Sequence, residues 1–324
     1  MFADEASLQA AGLLALADLT VIPRRTALTG SASLFDIFFL APGIHLQASA
    51  SSLNGGEFPA TGAMTTGYIF RVENPATVSF LQSVGRTGHL VTTHVTQHPY
   101  HNTTNYSVSR FLKGFFVAGV LPSLVYLTGP ALTIIAIVIL VNKRDWWSSA
   151  MIGVLVLARL INAAVIRRRS GKGWKGAKEE GVEGDLLILL SQDRWLRMRG
   201  LVDDLKTVTA GQWLRDETPT ESFVVGFATL LVYVAPALGF NASNYGNVIV
   251  AALLVVNAAL LALCNSTTGC LQMVDCVVSV WGKPKKYTRR LDLAKELIQS
   301  SGRDDWAIGL GLIVPEKPRD AVIL

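Results

Sequence analysis

The stretch Trp147–Lys178, WSSAMIGVLVLARLINAAVIRRRSGKGWKGAK, joins a long apolar run to a cluster of cations. The apolar part, Trp147 to Ile166, has the length that decides the fold. A hydrocarbon core about 30 Å thick takes about 20 residues of helix to cross. The cations that follow stand where membrane proteins keep them, beside the bilayer on its cytosolic face.

Working outward, three further runs match that length or nearly do: Phe115–Leu140, Phe223–Phe240 and Gly246–Cys264. Only VNKRDW and NASNY separate the members of each pair, so the spacing predicts four transmembrane helices in two hairpins. Pro122 and Pro130 are expected to kink the first run, and Thr220 is a candidate cap for the third. A shorter apolar stretch, SLFDIFFLAPGIHL from Ser33 to Leu46, holds Asp36 and breaks at Pro42–Gly43. It reads as a strand or an interfacial segment.

Composition agrees with the membrane reading. The chain is 50% hydrophobic and 16% charged, with mean hydropathy +0.39. Soluble domains carry nearer about 25% charged residues, so the apolar surplus must face something other than water. The net charge of +5 does not imply nucleic acid, because the cations gather beside apolar runs and no zinc-finger or RNA-recognition pattern occurs. Cys264, Cys270 and Cys276 are an odd count without a C-x-x-C, and read as three reduced thiols.

Orientation follows from the flanking cations. Arg110 and Lys113 precede the first run. Arg167, Arg168, Arg169, Lys172, Lys175 and Lys178 follow the second, and Lys283, Lys285 and Lys286 follow the fourth. The opposite side holds Lys143 and Arg144 alone, a balance of eleven against two. Both termini and the central loop are therefore expected in the cytosol, and the sequons at Asn102 and Asn105 are expected to carry no glycan.

The resulting division is 1–113, an N-terminal cytosolic region with an amphipathic helix near Ala6–Leu19 and short strands; 114–166, the first transmembrane hairpin; 167–221, a basic loop with short strands; 222–264, the second hairpin; and 265–324, a strand-helix-strand tail. The N-terminal segment, the central loop and the tail together suggest a small α+β region. Its expected strands include YIFRVEN, LVTTHVTQ, DLLILL, DRWLRMRG and DDWAIGLGLI.

Arg159, Asn162 and Asn257 stand out among the polar residues inside the spans. Arg159 and Asn162 share a face of the second helix, since they are three apart, and Asn257 sits mid-way along the fourth. A central Arg costs about 2.5–3.5 kcal/mol to insert. Arg159 is expected to snorkel toward the headgroups, to bond Asn257 across helices, or to meet an anion in a cavity. No acid lies within the runs, which argues against a carboxylate proton relay. Arg167, Arg168, Arg169, Lys172 and Lys175 form a candidate lipid-binding patch for anionic headgroups. His89, His94, His98 and His101 form a candidate metal cluster, although an alternating Val/Thr strand with polar side chains accounts for them as well. No P-loop or G-x-S-x-G elbow is present, and the sequence implies no cofactor.

Several stretches are familiar together: IPRRTALTGSASLFDIFFLAPGI from Ile22, RVENPATVSFLQSVGRTGHLVTTHVTQHPYHNTTNYSVSRF from Arg71, LLSQDRWLRMRGLVDDLKTVTAGQWLRD from Leu189, and RRLDLAKELI with DDWAI in the tail. In these the chain resembles a family of fungal multi-pass integral membrane proteins with no assigned activity, over about Val21 to Ile313. The resemblance implies the membrane class and carries over no functional residue.

The expectation at this point is an integral membrane scaffold, regulator or complex subunit. Its partners would be the bilayer, anionic lipids, further copies of the chain or other subunits, and not nucleic acid. Two alternatives stand beside it: a small transporter or channel with an anion route near Arg159 and Asn257, and a membrane metal protein or enzyme using the His89–His101 cluster.

Overall fold

Apolar runs become long helices and the Val/Thr/Leu-rich stretches become strands in the computed structural model, which describes residues 17, 19–47, 49–98, 116–171 and 176–314. The helices are α1 Val21–Thr29, α2 Ala50–Asn54, α3 Pro75–Val84, α4 Val120–Asn142, α5 Trp146–Arg169, α6 Val202–Thr209, α7 Pro219–Gly239, α8 Asn244–Thr267, α9 Arg290–Ser301 and α10 Asp305–Gly309. The strands are β1 Ala60–Ala63, β2 Ile69–Arg71, β3 His89–Gln97, β4 Glu183–Leu190, β5 Arg194–Leu201, β6 Cys270–Met273, β7 Cys276–Val280 and β8 Lys285–Lys286. The chain forms two compact units: Met1–Ser49, Asn102–Gly171 and Leu214–Val274 make the first, and Ala50–His101, Lys172–Trp213 and Asp275–Leu324 the second. Of the described N-terminal residues, 19–47 thus cluster with the long helices and 50–98 with the sheet.

In the first unit, α4, α5, α7 and α8 are the four helices long and apolar enough to cross a membrane. Each starts within a few residues of the expected run. The third begins earlier, at Pro219, because Thr218 rather than Thr220 caps it. The Thr218 hydroxyl accepts from Glu221 N while the Glu221 carboxylate accepts from Thr218 N, a reciprocal capping box. Glu221, next to Arg215, is therefore an acid within the first turn of that helix. Of the two prolines expected to kink the first helix, Pro122 sits in its first turn, where a missing N–H costs nothing, and Pro130 alone is interior.

The hairpins describe connectivity and not packing. α4 packs most extensively on α8 and α5 on α7, while α4 and α5 touch less. One core runs through them, with Leu140, Met151, Ile152, Leu155, Val232 and Leu254 among its members. Opposite faces stay apolar and exposed: Leu121, Ile134, Ile135 and Val138 on α4, Phe223, Phe227 and Leu230 on α7, and Val248, Val255 and Leu263 on α8.

The two inter-helix loops of this unit are tied by one carboxylate. Asp145 caps α5 by accepting from Ser148 N at 3.1 Å and Ser148 Oγ at 2.8 Å, and it also accepts from Ser243 Oγ, the cap of α8. Gly246 fits beneath it because a Cβ there would lie 2.2 Å from the Asp145 Oδ2.

The second unit is a mixed sheet in the order β2-β1-β4-β5-β3-β7, with β8 also beside β3. Among the described residues only β3 and β5 pair in parallel, Leu90 facing Trp195 and His94 facing Arg199. β4 is apolar on both faces, as a central strand should be. α6 packs on β3, β4, β5 and β7. A core of Met64, Leu90, Leu187, Trp195, Leu293, Leu297 and Trp306 is shared with α9 and α10. Asn74 caps α3, accepting from Ala76 N and Thr77 N, with Pro75 in the favoured first position.

One expected strand is a helix. DDWAIGLGLI folds as α10, where Trp306 and Ala307, adjacent in sequence, are both fully buried; a strand would turn one of them outward. VDDLKTVT folds as α6, with Leu205, Val208 and Thr209 buried at helical spacing and Asp203–Asp204 in the first turn, where acids suit the helix dipole. The expected strand or interfacial segment at Ser33–Leu46 is a 3-10 turn at Phe35–Phe38 followed by irregular, buried backbone. Pro23 lies inside the first turn of α1. The amphipathic helix expected at Ala6–Leu19 lies, apart from residues 17 and 19, outside the described residues.

Burial pushes the Asp145 carboxyl up, and the hydrogen bonds from Ser243 and Ser148 outweigh it, holding the group below its ordinary value. The folded value is the lower one, so the tie is fully present above the unfolded value near about 4 and is lost as pH falls through the depressed one. Thermal midpoints of the full chain in detergent should therefore fall more steeply between neutral pH and about pH 3 in wild type than in Asp145→Asn. Parallel pH profiles would contradict this role.

Candidate functional site

Three buried polar residues of the first unit, Asp36, Arg159 and Asn162, meet where one face of α5 packs against the segment Ser33–Gln47. Phe39, Leu40, Ala41 and Ile44 of this segment are buried in the helix core, and the Phe39 ring stacks on Tyr126 of α4 at 5.5 Å. Its backbone is neither helix nor strand beyond the short turn, so its carbonyls need donors from elsewhere.

Arg159 and Asn162 supply them. Arg159 is 2% exposed, and its Nε donates to the Asp36 carbonyl at 3.1 Å. Asn162 Nδ2 donates to the Ile44 carbonyl at 3.1 Å, while its Oδ1 accepts from Gln47 Nε2 at 3.1 Å. Arg169, two helical turns further on, donates to Gln47 Oε1 and pairs with Glu217 at 2.7 Å. One face of the helix thus holds the segment at its start, middle and end.

A buried acid arrives with this segment. Asp36 is buried; its Oδ1 accepts from the Tyr126 hydroxyl at 2.6 Å and its Oδ2 from Ser33 N at 2.6 Å. Arg25 of α1 lies over the Tyr126 ring, 5.0 Å from its centre, and donates to Thr268 at 3.2 Å. The cluster therefore sets two guanidinium groups beside one carboxylate residue. Arg159 Nη1 is buried without a hydrogen-bond partner among the described residues. Gly129 of α4 admits Phe39: a Cβ at that position would lie 2.5 Å from the ring.

The candidate residues read from the sequence fall into three groups. Arg159 and Asn162 come together, as their spacing implied. Asn257 does not join them; it donates to Thr133 of α4 at 3.3 Å. Of the basic patch, Arg167 and Arg168 are exposed in the last turn of α5, Arg169 is engaged as above, and Lys172 and Lys175 lie outside the described residues. Of the histidines, His89 and His94 sit on β3 an odd number apart and so on opposite faces. His98 follows the strand, its backbone N–H donating to the Asp275 carbonyl at 2.6 Å. Burial pushes the His98 imidazole below its ordinary value, with the Asp275 charge pulling the other way. His101 lies outside the described residues, among which no group of three or more His, Cys, Asp or Glu gathers as a metal would need. The three cysteines are free and buried, and Cys264 turns its thiol to the Pro122 carbonyl at 3.3 Å.

Sequence reasoning missed Asp36, Gln47 and Tyr126 as partners of Arg159 and Asn162. The signal was present in FDIFFL, an acid in an apolar stretch beside a helix carrying a buried Arg. No protein-family model, curated protein or solved structure matches this chain.

Asn162→Leu leaves the Ile44 carbonyl buried and unpaired, a loss of about 1–3 kcal/mol, and should lower the thermal midpoint of the protein in detergent. Gly129→Ala should lower it as well, and a second change, Phe39→Leu, should restore part of that loss by giving the new methyl room. Wild-type midpoints in both single variants would contradict the anchoring role.

Proposed function

We propose that the protein is a multi-pass integral membrane protein acting as a scaffold or complex subunit. In this reading the helical unit spans the bilayer four times, with both termini and the Arg167–Glu221 loop on the cytosolic side. The observation that carries it is the division of labour in the helical unit. Outward faces are apolar, and the polar side chains within the spans are spent on holding protein backbone and neighbouring helices. A transport route would instead line up polar groups along a path. The sheet unit adds a folded surface rich in exposed charge, including Arg199 and His94, of the kind that partner recognition uses.

The transport alternative has one observation in its favour, the unpartnered Nη1 of Arg159. Purified protein in liposomes decides between the two: the scaffold reading expects no anion flux above empty vesicles, and flux that disappears in Arg159→Ala would replace it with transport.

The membrane reading has its own test. Alkaline carbonate should leave the chain in the membrane pellet, and an impermeant thiol reagent should reach Glu180→Cys from the cytosolic side and Asn241→Cys from the opposite side. Release into the supernatant, or labelling of both positions from one side, would overturn it.

A further inference from the structure

The two short loops at one end of the helical unit border an open cavity of about 780 Å³, lined among others by Lys143, Arg144, Asp145, Trp146, Trp147 and Tyr245. We propose that this cavity binds the phosphodiester headgroup of a glycerophospholipid, a site separate from the basic patch at the other end of α5. The proposal rests on the reading that the four long helices cross a bilayer.

The cations come first. Lys143 and Arg144 are both exposed, and among the described residues neither forms an ion pair. The one acid in its lining, Asp145, has its oxygens engaged by Ser148 and Ser243. Two cations against one carboxylate leave the cavity with an excess of positive charge, which a phosphate would balance with charge-assisted bonds.

Backbone conformation is the second, independent observation. The loop ends α4 by donating Arg144 N to Val141 O at 2.9 Å and Asp145 N to Leu140 O at 3.0 Å. That is a Schellman ending, whose left-handed position is usually Gly. Here it is Arg144, with φ of 57°. A side chain in that conformation costs roughly 1–2 kcal/mol that Gly would not. The chain thus keeps a strained arginine where a glycine would close the helix at lower energy, and that arginine borders the cavity.

The aromatic rings decide which kind of phosphate. Trp146, Trp147 and Tyr245 are 63%, 49% and 55% exposed at the ends of their helices. Indole and phenol rings at span ends occupy the headgroup layer. A phosphate between Lys143 and Arg144 would place the glycerol and upper acyl chain of a lipid against these rings, whereas a free phosphate would leave them unused.

The test is the thermal midpoint of the full chain in non-ionic detergent. Samples receive phosphatidylglycerol, a galactolipid of matched chains without phosphate, or inorganic phosphate. Wild type should gain several degrees with phosphatidylglycerol and little with the other two. Arg144→Gly should match or exceed the wild-type midpoint without lipid, since strain is relieved, and lose the lipid-dependent gain. The pair Arg167→Ala, Arg168→Ala should keep that gain. The proposal is overturned by a full lipid gain in Arg144→Gly, an equal gain with galactolipid or with inorganic phosphate, or loss of the gain only in the Arg167/Arg168 pair. Absence of any gain in a chain that resists carbonate extraction removes this site alone; release by carbonate removes the membrane reading beneath it.

Discussion

A backbone carbonyl withdrawn from water must find a donor, and that requirement organises the helical unit. The segment Ser33–Gln47 packs irregular chain against long apolar helices, whose leucines and valines cannot donate. Arg159 and Asn162 are the donors. This accounts for polar side chains at positions where hydropathy alone would place leucine. It also accounts for Gly129, because the segment brings the Phe39 ring against the backbone of α4. A buried guanidinium is costly by itself; here it acquires a carbonyl and a nearby carboxylate residue from the chain it holds. Asn257 and Thr133 do a smaller version of the same work between α8 and α4.

The sheet unit obeys soluble-protein rules. Its strands alternate or run apolar according to whether one face or two are covered, its helix α3 is capped by Asn74, and Trp306 closes the core beside α9. Arg197 grips both oxygens of Asp185 across β5 and β4, a pairing that holds two long strands in register.

Local physics made part of this legible in the sequence. Length and hydropathy fixed the four long helices to within a few residues, and Val/Thr alternation marked β3. Arg159 and Asn162 were marked because a charge in an apolar run is expensive wherever the chain folds. What periodicity could not reveal was their partners: the contact between Asp36 and Arg159 closes a loop of more than a hundred residues, and nothing in FDIFFL encodes which helix will receive it. Packing order was not legible for the same reason, since short loops fix neighbours in connection and leave side-chain fit to choose neighbours in space. The short helix α10 was misread as a strand because a brief apolar stretch satisfies both periods, and only the adjacent burial of Trp306 and Ala307 separates them.

Hydrogen–deuterium exchange of the full chain in lipid nanodiscs tests the central claim most directly. If α5 holds the segment through Arg159 and Asn162, the amides of Phe39–Leu46 exchange nearly as slowly as those of α5 itself, and Asn162→Leu speeds them selectively. Exchange of that segment in wild type at the rate of an open loop would contradict the account.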